Sequence, residues 1–165
     1  MIRSAVSADA SELAKVFVAA WQHGYLGVVP ADVLDRLDIE EWAEGFAHLL
    51  RTGDQKSIVW ADGTGGVLGF AIFGAEPDTN SPTKGYLASL YVDPAASGRG
   101  IATALLAEAL DSLTAQGRSD ITLWVFTENE RARNLYERAG FVATGEATTD
   151  PRWRAPQVRY RRVAD

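Results

Sequence analysis

The stretch VDPAASGRGIATALL, residues 92–106, sets Pro94, Gly98 and Gly100 between a strand-like apolar segment and a helical apolar run. Glycine lets backbone approach another group closely, and the first turn of a helix leaves amides unpaired with partial positive charge behind them. Such a loop favours an anion, above all a phosphate. A loop whose glycines only relieve strain carries the same local signal. Two phosphate motifs do not fit. The nucleotide P-loop requires a Gly-Lys pair, which the chain lacks. The dinucleotide fingerprint requires a third glycine, and counting from Gly98 that position is Thr103.

Other residues able to do chemistry are few. There is no cysteine, which excludes disulfides, zinc ribbons and thiol nucleophiles together. His23 and His48 are the only histidines and have no accompanying ligand set, so no metal site is expected. The stretch NERARNLYERAGF, residues 129–141, carries Asn129 where a helix cap belongs and Tyr136 at a core or functional position.

The elements that hold these residues follow from periodicity. Residues 1–5 read as a short strand, and Ser7 to Gln22 as a helix with Leu13, Val16, Phe17, Ala20 and Trp21 on one face and Ser7 or Asp9 as cap. A turn through Gly24, Gly27 and Pro30 precedes one or two helices over 31–50. Residues 56–61 and 66–74 form a hairpin about Asp62-Gly63-Thr64-Gly65, and 85–92 a third strand. A helix then runs to Gln116, and ITLWVFT, residues 121–127, has the continuous apolar character of a central strand. A helix over 130–139 and two strands, about 141–148 and 157–163, complete the order. Meander, one crossover and terminal strands together predict an α/β protein with a mixed, mostly antiparallel sheet flanked by helices.

Composition narrows the function classes. With 165 residues, 47% hydrophobic and 23% charged, the chain is expected to fold as one domain spanning 1–165. The net charge of −6 arises in residues 1–84, where six Lys or Arg face 12 Asp or Glu. That imbalance disfavours nucleic acid and tolerates a cationic partner. No leader pattern and no bilayer-length apolar run occur, so a cytoplasmic protein without membrane association is expected. Arg152, Arg154, Arg159, Arg161 and Arg162 near the C-terminus alternate with apolar residues as in a half-exposed edge strand.

SLYVDPAASGRGIATALL and NERARNLYERAGF, in that order, resemble the acyl-CoA-binding core of the GNAT superfamily of N-acyltransferases. The specific likeness covers residues 85–142, with the helices of about 7–50 as the acceptor side. The family's loop pattern falls on Ser97, Gly100 and Ala102; Ser97 replaces the usual long Gln or Arg side chain. The resemblance implies a splayed strand pair, with acetyl-CoA held by Leu90, Tyr91, Val92, Ser97, Gly98, Arg99, Gly100, Ile101, Ala102, Thr103, Asn129 and Tyr136. It also implies that the Val92 N–H serves the thioester oxygen and the Tyr136 hydroxyl the leaving sulfur. The implied acceptor is a primary amine of a small molecule or peptide, with Trp21, His23, Tyr25, Tyr86 and the 28–32 loop as candidate contacts. Trp21 equally suits the helix core, and His23 the surface. The glutamate that relatives carry near position 86 is missing, leaving Glu128, water or the acidic first half as routes for the amine's proton. An acyl-CoA-binding sensor without turnover is the alternative, and pairing into a homodimer along the C-terminal strand is a further expectation by analogy.

Overall fold

The computed structural model describes residues 1–164; Asp165, included in the expected domain, lies outside the described residues. Seven strands form one sheet: β1 (Ile2–Ser4), β2 (Lys56–Ala61), β3 (Val67–Ala75), β4 (Lys84–Val92), β5 (Asp120–Phe126), β6 (Val142–Thr149) and β7 (Pro156–Val163). Their order is β1-β2-β3-β4-β5-β7-β6, with β4 and β5 parallel and every other pair antiparallel. The helices are α1 (Ala10–Gly24), α2 (Ala31–Asp35), α3 (Ile39–Thr52), α4 (Ile101–Ala115) and α5 (Glu130–Arg138).

Strand periodicity divides the core. On β3, Phe70 and Ile72 face α1, α2 and α3, whereas Ala71 and Phe73 face the layer that contains α4 and α5. Alternate side chains of β3 therefore meet apolar helices on both sides, which is why β3 reads as an unbroken apolar run. Gly69 fixes the approach of α4. A Cβ there would lie 3.0 Å from the Tyr91 carbonyl oxygen and 3.1 Å from both Ile101 Cγ2 and Leu105 Cδ1, so only glycine admits the first turn of α4.

Local expectations change in two places. Asp9 does not cap α1; its carboxylate accepts from the Val6 N–H at 2.8 Å and takes a two-pronged bond from the Arg3 guanidinium at 2.8 and 3.0 Å. Those bonds, the Arg3 pair first, hold its pKa below the ordinary carboxylate value against the opposing effect of burial. The folded value is thus below the unfolded one, and the stabilisation is present at neutral pH and lost as pH falls through the folded value. Asp9→Ala is expected to lower unfolding free energy by about 2 kcal/mol at neutral pH. Urea midpoints check this: the gap between the two proteins should narrow below pH 3.8.

The second change is β7, which is not an edge. It lies between β5 and β6, so the free edges of the sheet belong to β1 and β6, and the expected self-pairing edge is not at the C-terminal strand. Tyr160, fully buried, anchors β7 in the core, and its arginines find partners there. Arg159 pairs with Glu76 and with Glu146, the latter at 2.9 Å, and Arg161 bonds Asp120 at 2.8 Å. The alternation of arginine with apolar residues is that of an interior strand with an ion-paired outer face.

Candidate active site

The parallel pair β4 and β5 is short. Its register runs Lys84 to Asp120, Gly85 to Ile121 and Tyr86 to Thr122, and stops. A bulge follows immediately, because Ser89 sits opposite Ile72 and Leu87 opposite Phe73, which leaves Ala88 as the extra residue. Bulges bend a strand and increase its twist, and here β4 parts from β5 beyond Tyr86. The splayed pair is present, and its two sides carry the site.

Backbone polarity in the opening follows from register. The Asp93 N–H donates to the Leu68 carbonyl at 2.8 Å, and Gly69 stands opposite Val92. Antiparallel pairing alternates, so Tyr91 exchanges bonds with β3 whereas the amides of Leu90 and Val92 point away from it, toward the gap left by β5. Gly98 (φ 81°) and Gly100 (φ 77°) both adopt the left-handed conformation, and Gly100 caps α4. The first backbone hydrogen bond into that helix runs from the Ala104 N–H to the Gly100 carbonyl. Among the described residues, the amides of Gly98 through Thr103 therefore have no acceptor in the chain. The Ser97 amide is not part of this set, since it already donates to the Pro94 carbonyl.

Two cavities meet at the splay. One, about 570 Å³, runs along Val92, Ser97, Gly98, Gly100, Ala102 and Thr103 toward α5. The other, about 630 Å³, opens between the ends of β4 and β5 and the 148–153 loop. Tyr25, Leu90, Tyr91, Asn129, Ala132 and Tyr136 line both. Tyr136 is buried on α5 and packs edge-on against Phe141, their ring centres 5.8 Å apart. Asn129 caps α5 by accepting from the Ala132 N–H at 3.2 Å, so its structural role and its place in the cavity wall coexist.

Titration behaviour follows from burial. Desolvation, with Tyr91 adding, pushes the Tyr136 hydroxyl far above the ordinary tyrosine range. Burial likewise raises Tyr25, helped by Tyr91 and Tyr136, and raises Tyr91 and Tyr86. All four stay protonated at neutral pH and act as hydrogen-bond donors, not bases. Asp150 is the one carboxylate lining the cavity between the ends of β4 and β5. Hydrogen bonds from Arg152 hold its pKa below the usual value, which makes it a poor base.

Several expected site residues fall elsewhere. Ile101 turns its side chain into the core, the Arg99 side chain is exposed, and neither residue lines a cavity. Glu128 is exposed and also lines neither. His23 lines the cavity beside the glycine loop, whereas Trp21 and Tyr86 line the other one. Sequence reasoning missed Trp42, Trp124, Phe126 and Trp153, all in the wall of the cavity between β4 and β5; the only hint was five tryptophans in 165 residues. No group of three or more metal-ligating side chains occurs among the described residues.

A sheet opened beside a glycine-rich helix start, with a tyrosine at the junction of two cavities, is the architecture of an acyltransferase. Residues 15–141 match the acetyltransferase (GNAT) family, and the chain belongs to that family. It is 30% identical over 128 residues to the uncharacterized N-acetyltransferase YuaI of Bacillus subtilis, an alignment covering 78% of this chain and 72% of that protein. It is 42% identical over 89 residues to the mycothiol acetyltransferase of Beutenbergia cavernae, covering 52% of this chain but only 29% of that longer protein. The fold is shared with the PaiA N-acetyltransferase of Thermoplasma acidophilum, solved in complex with coenzyme A, at a TM-score of 0.77 and 19% identity over 99% of this chain and 98% of that one. Among the described residues no helix is long and apolar enough to cross a membrane.

Proposed function

We propose that the chain transfers an acetyl group from acetyl-CoA to a primary amine by direct attack within a ternary complex. The observation that carries this reading is the run of unpaired amides from Gly98 to Thr103, of which Gly98, Gly100, Ala102 and Thr103 line the same cavity as Val92 and Tyr136. These amides hold the pyrophosphate, supported by the partial positive charge of α4, and the absence of side chains at Gly98 and Gly100 leaves the approach clear. The loss of a long side chain at Ser97 removes one contact and leaves this backbone cradle whole. Leu90 and Val92 present strand backbone to the pantetheine amides, as a peptide strand would at a sheet edge.

Val92 then donates its N–H to the thioester oxygen as negative charge develops there. The amine nitrogen enters from the cavity between the ends of β4 and β5, the acceptor-side cavity, and attacks the carbonyl carbon; the carbon–sulfur bond breaks, and the departing sulfur takes a proton from water, which balances the proton the amine gives up. Tyr136 donates a hydrogen bond to that sulfur. The amine's surplus proton passes to water in the acceptor-side cavity, because none of the tyrosines there accepts one at neutral pH.

The test is thiol release from acetyl-CoA, read alongside calorimetric binding of acetyl-CoA. With no cysteine, the protein adds no background thiol. Amine-dependent release is the expected result. Tight binding with no release across alkyl, aryl, polycationic and peptide amines would turn the reading into that of an acyl-CoA sensor.

A further inference from the structure

The acceptor-side cavity has an unusual wall. Tyr25, Trp42, Tyr86, Tyr91, Trp124 and Trp153 all line it and are all partly exposed, with Trp21 and Phe17 buried behind them. Trp42, Trp153, Trp21, Tyr25, Tyr91 and Phe17 touch ring to ring, while Trp124 stands apart from them on β5 under the Arg159 guanidinium. Trp153 lies 4.6 Å from Trp21 and is stacked on Trp42 at 6.2 Å and 29°, while Tyr25 meets Phe126 edge-on at 4.9 Å. The 150–155 loop that brings Trp153 in is held immediately after it: Ala155 is buried, and Arg154, with φ 52°, pairs with Asp32 of α2. A non-glycine residue in that conformation is sustained by its surroundings, so the loop position is specified by the fold.

The charges of the wall cancel. Asp150 and Arg152 are its only charged residues, and they satisfy each other: the Arg152 backbone N–H, Nε and Nη2 donate to the two carboxylate oxygens at 2.7–3.1 Å. Arg152 also lies over the Trp153 ring, 5.0 Å from its centre. Among the lining residues no carboxylate is left unpaired for a second ammonium.

We infer that the acceptor is an arylalkyl primary amine, one aromatic ring on a short alkyl linker, with its ring against the Trp42, Trp124 and Trp153 wall. This rests on the acetyltransferase reading above. Planar rings gain from offset and edge-on contacts that alkyl groups of equal area do not make. Tyr25 and Tyr91 belong to both the aromatic wall and the junction with the cofactor cavity, so a linker of a few atoms brings the amine to the thioester.

The experiment compares 2-phenylethylamine, 2-cyclohexylethylamine, spermidine, kanamycin and an N-terminally free alanyl peptide in the thiol-release assay, using the full chain. The expected order places 2-phenylethylamine about tenfold or more above the others in kcat/KM. Trp153→Ala, on a surface loop, should raise KM for 2-phenylethylamine about tenfold, leave KM for acetyl-CoA unchanged and be largely rescued by Trp153→Phe. A merely structural tryptophan would move both KM values or neither. Absence of release with 2-phenylethylamine, or preference for any of the other amines, overturns the inference. If another amine turns over, the acetyltransferase reading stands without it; if acetyl-CoA fails to bind, that reading falls as well.

Discussion

Tyr136→Phe is expected to slow acetyl transfer by about 10²- to 10³-fold, with little change in affinity for acetyl-CoA. The substitution removes one oxygen and keeps the ring that packs edge-on against Phe141, so the α5 contact with the sheet survives. Only the hydrogen bond to the departing sulfur is lost. That bond matters most when the carbon–sulfur bond is breaking, so the effect belongs in kcat. Burial keeps the hydroxyl neutral well past pH 8, so the loss should be constant between about pH 6 and pH 8.5. Single-turnover thiol release at both ends of that range is the check. A variant within threefold of the parent would make Tyr136 a core aromatic that happens to face the cavity.

Val92→Pro should cost a similar factor, about 10²- to 10³-fold in kcat, by deleting the donor aimed at the thioester oxygen. Proline is normally ruinous within a sheet because it removes a ladder hydrogen bond. Val92 is exempt: its amide faces the gap, and Asp93, the next residue, makes the bond to β3 through Leu68. Tyr91 already has the extended backbone that a following proline requires. Val92→Ala is the control, since it trims the side chain and keeps the N–H. The check is kcat for both variants, with acetyl-CoA binding measured by calorimetry. Equal activity in the two would remove Val92 from the oxyanion role, and loss of binding in the proline variant alone would assign the amide to cofactor binding.

Much of this site was legible because its parts are local. The left-handed backbone at Gly98 and Gly100, the start of α4 at Ile101 and the Asn129 cap of α5 each depend on a few neighbouring residues. The apolar run of β5 announced a strand covered on both faces, and the structure buries it from Ile121 to Phe126 except at Trp124, which lines the cavity. The acceptor wall was hidden for the opposite reason. Phe17, Trp42, Trp124 and Trp153 come from α1, α3, β5 and the loop before β7, and nothing local to any of them says that they meet. The arginines of β7 misled because alternation reports a half-buried strand without revealing whether a neighbour covers its edge; Glu76 and Glu146, distant in sequence, supply the partners.

The sequence by itself determined the element order, the glycine-rich helix start and the tyrosine that follows the central strand, because short-range backbone preference and apolar period encode them. Only the tertiary structure decided where β4 parts from β5, which amides face the opening and which rings line the cavity between β4, β5 and the loop before β7. Those depend on a bulge at Ala88 and on contacts between segments far apart in the chain, where the free energy lies in packing and pairing, not in the propensity of any one residue.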